Sequence, residues 1–339
     1  MSDPAAKNRK NNLREAENEE RKQLVKHTPD ATQAQAQAQA MSKLSPSLKA
    51  LINAPFARPG QAPAPRNIRD VYTRIANEAR EHKYGDRPWV TLSAAATFTL
   101  NSPASLLALH DLTPTLSPSL TPLTTAELIR EIGLKCISFN GIPRTINNLA
   151  TFRAGLSHHP WSGSLRTTPS RTITSANLPA TAARGDALWQ SVYTPFDEKL
   201  VQRLAESHPD LPVHILGSHY GPLLSDPESA DNNNNNSLVG RCLTSVLAVA
   251  CLRAQTGVGP QVLSHVFGLR KGVEQGAHRG EFAGLEEGRV GEAEAEAVER
   301  LAGDEGCEWL LRSVDAITEA VGSSYARWDG EGEGGKAKL

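Results

Sequence analysis

A single histidine stands in the stretch GVGPQVLSHVFGL, residues 257–269, among apolar and small residues with no cysteine or carboxylate beside it. An imidazole so placed can act as a general base, taking a proton from a bound substrate. Equally, His265 can be a packed core side chain satisfied by a backbone carbonyl. Arg144 and Arg241 could accompany it as anion holders, since a guanidinium grips a carboxylate through two parallel N–H bonds. The structural alternative for either is pairing with a neighbouring acid. His208, His214 and His219 suggest a metal, and Ser218-His219-Tyr220-Gly221 suggests a nucleophile. Their spacing matches no zinc pattern, however, and neither HExxH nor GxSxG occurs in the chain. No metal and no cofactor is therefore expected. The GVG at 257–259 follows no strand and cannot be a dinucleotide fingerprint.

Sulfur chemistry is equally unpromising. Cys136, Cys242, Cys251 and Cys307 lie far apart in sequence and form no CxxC, which fits neither a disulfide framework nor a zinc ribbon. Cys242 and Cys251 share one helical run nine residues apart, about 13 Å along the axis at ~1.5 Å per residue, and read as small core residues. The 36 basic and 37 acidic side chains leave a formal net charge of -1, so nucleic-acid binding has no electrostatic footprint. Apolar runs such as SVLAVACL end well short of the roughly 20 residues a bilayer span requires.

The elements that must position these residues are helical. IRDVYTRIANEARE sets Ile68, Val71, Ile75 and Ala79 on one stripe, and WVTLSAAATFTL follows as a compact apolar helix. Ser102-Pro103 reads as a cap with proline at the first helical position. TTAELIREIGLKCISF ends at Asn140-Gly141, where Pro143 opens a second helix across a short joint. In SLVGRCLTSVLAVACLRAQ the residues Leu243, Val246, Leu247, Ala250 and Ala254 share a face. Val249 and Leu252 make the other faces apolar too, the mark of a buried helix. Gly257 and Gly259 break it before Val262, Val266, Leu269 and Val273 stripe the next one. No strand-like alternation of any length appears, so the fold class is all-α.

Two of these hairpins resemble the alkylhydroperoxidase D-like and carboxymuconolactone decarboxylase-like superfamily, fungal members in particular. In ELIREIGLKCISFNGIPRTINNLATFRA the residues Gly141, Pro143, Arg144 and Asn147 fall on its Gly-x-Pro-Arg turn and Asn-bearing helix. In VGRCLTSVLAVACLRAQTGVGPQVLSHVFGLRKG the residues Arg241, His265 and Gly268 fall on an Arg-led helix followed by His-x-x-Gly. The peroxidase branch carries Cys-x-x-Cys-x-x-x-His, one thiolate attacking and the other resolving. Here those places are Val258 and Gln261, and residues 237–273 contain no acid to complete a proton relay. The resemblance thus implies loss of thiol peroxidase activity. It leaves cofactor-free acid/base chemistry on a small metabolite with His265 as base, or a non-catalytic oligomeric interaction protein. Homo-oligomerisation is also implied.

The expected organisation is a disordered arm over 1–65 and a helical block over 66–156. A linker over 157–185 and a second block over 186–325 follow, with disordered loops near 228–237 and 274–304 and a flexible tail over 326–339. Ala337-Lys338-Leu339 conforms to the peroxisomal tripeptide of small, basic, leucine, read by an import receptor. Translation from Met41 would instead expose a basic, acid-poor stretch like a mitochondrial presequence. Removing the last three residues from a fluorescent fusion with a free C-terminus should move it from puncta to the cytosol. Unchanged puncta would refute that address.

Overall fold

In the computed structural model, residues 44–227, 238–285 and 288–322 are described. The Met41 start, the 228–237 loop and Ala337, Lys338 and Leu339 lie outside them. Residues 1–60 and 61–339 form two separate units. In the first, α1 (Pro46–Ile52) opens where the Ser45 hydroxyl accepts from the Leu48 amide at 3.2 Å and buries no residue. The arm expected to be disordered therefore contains one capped helix.

The second unit contains only helices and turns among its described residues. In order these are α2 (Ile68–Glu81), α3 (Asp86–Thr99), α4 (Pro103–Leu116), α5 (Pro122–Lys135), the single turn α6 (Ile137–Asn140) and α7 (Ile142–Gly155). There follow α8 (Leu178–Tyr193), α9 (Asp197–Ser207), α10 (Asp210–His214), a π-helical segment over Ile215–Leu224, α11 (Arg241–Gln255), α12 (Gly259–Glu274), α13 (Ala277–Phe282), α14 (Gly288–Leu301) and α15 (Asp304–Val321). No described helix is long and apolar enough to cross a membrane.

Helices α3 and α11 form the centre. Every residue from Arg87 to Thr99 is buried, as is Cys242 to Leu252. Small residues let the two backbones approach: the Cys251 sulfur comes within 3.7 Å of the Ala95 carbonyl. Helices α4 and α5 pack on α3, α12 on α11, and α15 on both. One large hydrophobic core thus runs from Ile68 to Ile317 and is shared by the two helical blocks, with a small separate cluster of Trp189, Tyr220 and Leu224 beside it. Fully burying each Leu, Val or Phe within it contributes roughly 1.5–3 kcal/mol. Two threonines inside α3 bond to its own backbone, Thr97 Oγ1 donating to the Ser93 carbonyl at 2.6 Å and Thr99 Oγ1 to that of Ala95 at 2.8 Å, whereas the buried hydroxyls of Thr91 and Ser93 have no hydrogen-bond partner.

Two of the expected boundaries change. The stretch 157–185 is pinned to α5, Arg171 pairing with Glu131 at 2.5 Å and the Arg166 amide donating to Glu127 at 2.6 Å, and α8 already begins at Leu178. The stretch 274–304, expected as a disordered loop, instead supplies α13 and α14. Its glutamates do specific work. Glu281 accepts from the Cys242 and Leu243 amides at 2.7 and 3.1 Å, and Glu294 from those of Asp86 and Arg87 at 3.1 and 3.2 Å. Each carboxyl therefore caps the N-terminus of a central helix. Both N-cap residues are glycines, which provide no side-chain oxygen. A Cβ on Gly240 would lie 2.5 Å from Glu281 Cγ, and one on Gly85 2.7 Å from Glu294 Oε2. Glycine is what admits the remote carboxyl.

Burial raises both carboxyls from an ordinary 4.5 to about 7, against the lowering effect of the amides they accept from. The folded state therefore holds their protons to higher pH than the unfolded chain does. That contribution to stability is complete below about 4.5 and is lost as pH rises through 7. Urea unfolding of the wild type and of Glu281→Gln/Glu294→Gln should show a stability difference that varies with pH across this window, since all other titrations cancel. A difference independent of pH would mean the carboxyls are ionised throughout.

Candidate functional site

Helix α12 carries His265 into a small compartment closed by α8, the π-helical segment and α6. The imidazole is 8% exposed. Its Nε2 lies 3.5 Å from the Tyr193 hydroxyl, which accepts from the Tyr220 hydroxyl at 3.0 Å. The Phe139 and Tyr193 rings meet the imidazole edge-on, at centroid distances of 5.9 and 6.1 Å. A phenol oxygen has two lone pairs, so the contact suits a Tyr193 proton directed at Nε2 as well as an Nε2–H directed at the hydroxyl; the ring's other nitrogen is Nδ1. That Nδ1 is buried with no hydrogen-bond partner. The imidazole is thus not satisfied by a backbone carbonyl.

Arg241, the first residue of α11, sets the electrostatics. Its guanidinium donates to Ser191 Oγ at 2.7 Å, Ser245 Oγ at 2.7 Å, the Ser191 carbonyl at 3.1 Å and the Gly268 carbonyl at 2.8 Å. Among the described residues no carboxylate lies within ion-pair distance of it. This buried cation, together with desolvation as the larger cause, pushes His265 down to about 4. The imidazole is accordingly neutral at physiological pH. Burial raises Tyr193 and Tyr220 above the ordinary phenol range, so the hydroxyl chain is also uncharged.

A groove of about 390 Å³ opens on the other side of Tyr193. Val192, Pro195, Phe196, Leu200 and Phe267 give it apolar walls; Lys199, Arg203 and Lys271 supply its charge, and no acid lines it among the described residues. Tyr193 belongs to both the groove and the hydroxyl chain. Nothing in the primary structure pairs Ser191, Tyr193 and Tyr220 with His265.

The other sequence candidates separate from this site. Arg144 donates to the Thr99 carbonyl at the C-terminal end of α3, where a cation complements the helix dipole. Asn147 is exposed, its carbonyl accepting from Gln61 at 3.1 Å. The buried amide is Asn148, which donates to the Arg144 carbonyl at 2.8 Å and that of Phe98 at 3.3 Å. Gly141, at φ 77, and the exposed Pro143 form the α6–α7 joint. His208 Nδ1 accepts from the Asp210 amide at 3.1 Å, His214 meets Ser218 at 3.1 Å and His219 meets Ser138 at 2.8 Å. These three histidines form no ligand cluster.

The cysteines supply a pairing that linear spacing hides. Cys136, ending α5, brings its sulfur within 3.5 Å of Cys251 on α11. Neither is oxidised, and a bond requires about 2.05 Å. Burial pushes the Cys136 thiol well up, and all four cysteines are buried. Only thiolates react quickly with disulfide reagents, so Ellman's reagent should label none of the 4 cysteines in native protein and all in denaturant. A fast-reacting native thiol would reopen sulfur chemistry. Among protein-family models, curated proteins and solved structures, no match to this chain is found.

Proposed function

We propose that the protein is a cofactor-free acid/base enzyme acting on a small anionic metabolite with an apolar body, with His265 as the base and the Tyr193 hydroxyl passing the substrate's proton to its Nε2. The supporting observation is Tyr193, which lines a basic, apolar-walled groove while its hydroxyl meets a neutral, buried imidazole. A carboxylate in the groove would face Lys199, Arg203 and Lys271, and the apolar walls would hold the rest of the molecule. Its negative charge would offset Arg241 and raise the proton affinity of His265, so the base gains strength when substrate is bound. Arg241 would then stabilise negative charge that develops during proton removal. This accords with the decarboxylase-like resemblance of Arg241, His265 and Gly268, and with the absence of cysteine at positions 258 and 261.

The same groove supports a second reading, an oligomeric interaction protein, because its Phe196 and Phe267 are 65% and 51% exposed. Histidine NMR with octanoate as a probe distinguishes the two. In the free protein the ring should remain neutral down to about 4. Saturating octanoate should move its titration to higher pH, and Tyr193→Phe should abolish that coupling. A free-protein titration near the ordinary 6.5 would sink the acid/base reading. So would octanoate binding without effect on the ring, and a fall in sedimentation coefficient in Phe267→Asp would then support the oligomer.

A further inference from the structure

On the far side of the core, α4 presents a group of metal-ligating side chains remote in sequence from His265. His110 Nδ1 lies 3.3 Å from Asp111 Oδ1. One ligand atom each from His110, Asp111 and His159 fall within 4.8 Å of one another. His110 is 2% exposed and its orientation is fixed: Phe152 meets its ring edge-on at 5.9 Å, Trp161 covers it at 5.5 Å, and Nε2 lies 3.0 Å from the Pro122 carbonyl.

The hydrogen-bond logic selects the ligand. A carbonyl oxygen only accepts, so Nε2 must carry the ring's hydrogen. Nδ1 then directs a lone pair toward the Asp111 carboxylate. Two such lone-pair holders at 3.3 Å favour a cation between them, whether a proton or a metal ion. The distance is the length of a tetrahedron edge: ligands about 2.0–2.1 Å from a zinc ion stand about 3.3 Å apart. An imidazole that coordinates through one nitrogen while donating from the other to a backbone carbonyl is the usual outer-shell arrangement of a metal-bound histidine. Trp161 stacks on the third ligand, His159, at 4.9 Å and 17°, limiting water on that side. His158 is exposed, its ring 4.1 Å from that of His159.

We propose that His110, Asp111 and His159 bind one divalent transition-metal ion of the zinc type, with water as fourth ligand. Two imidazoles and a carboxylate suit zinc better than the hard, oxygen-seeking magnesium or calcium. The ion would join α4 to the turn after α7, adding to the ring contacts and to the packing of Leu107 against Gly155.

The test uses the full-length, tag-free protein, zinc by calorimetry and cobalt by visible absorption. One equivalent of zinc should bind, and cobalt should give the intense absorption of a tetrahedral site. His159→Gln and Asp111→Asn alter residues at least partly exposed, so the fold should survive, as circular dichroism would verify. Each should weaken zinc binding at least about tenfold, because losing even an outer-shell partner costs ~10–100-fold. His214→Gln, in the other histidine pair, should bind as the wild type does. Failure of the wild type to bind zinc at micromolar concentration would overturn the proposal. Equal affinity in His159→Gln and Asp111→Asn, or loss in His214→Gln, would do so as well.

Discussion

Two helices buried on nearly every face cannot end in water, and their first amides still need acceptors. That requirement underlies the structure. Helices α3 and α11 are so apolar that neither provides its own cap, and both N-cap positions are glycine. The acceptors are Glu294 and Glu281, from α14 and α13. An orphaned buried amide costs about 1–3 kcal/mol, and a cap is typically worth ~1 kcal/mol. The glutamate-rich segment is therefore part of the core's hydrogen-bonding system.

Capping also fixes where α11 begins, and so where Arg241 stands. From that position the guanidinium reaches α8 through Ser191 and α12 through Gly268. Three helices converge on one cation with no carboxylate partner among the described residues, and the electrostatics of His265 follow. Depressed proton affinity is the combined result of burial and a charge placed by helix capping elsewhere. Lys135 ties the neighbourhood together: its buried ammonium donates to the Leu224 and Val239 carbonyls at 2.7 and 2.5 Å and to Asp226 at 3.2 Å. The segments flanking residues 228–237 are thereby held on α5.

The His110 region shows the opposite economy. There the ring is held by Trp161, Phe152 and one backbone carbonyl, with charged groups at the surface. The His265 compartment is enclosed and short of hydrogen-bond acceptors, whereas the His110 cluster is half-open and rich in donor atoms for a cation. One scaffold thus places histidines in two chemically different environments, a weakly basic interior ring and a ring facing a carboxylate.

The helical class and several helix breaks were legible in the chain because they depend on local patterns. α2 occupies Ile68–Glu81, where its apolar stripe predicts it, and the breaks at Gly141 and Gly257 fall at positive φ. The burial of α11 was equally legible, since a helix apolar all round has nowhere else to go. What the linear order could not show were pairings across the core: Glu294 with the Asp86 amide, Cys136 with Cys251, Tyr193 with His265, His110 with His159. Periodicity reports which face of a helix is buried, not which partner it meets. Single acceptors such as Glu281 are locally indistinguishable from solvated glutamates, and only the packing of α13 and α14 against the central pair decided their role.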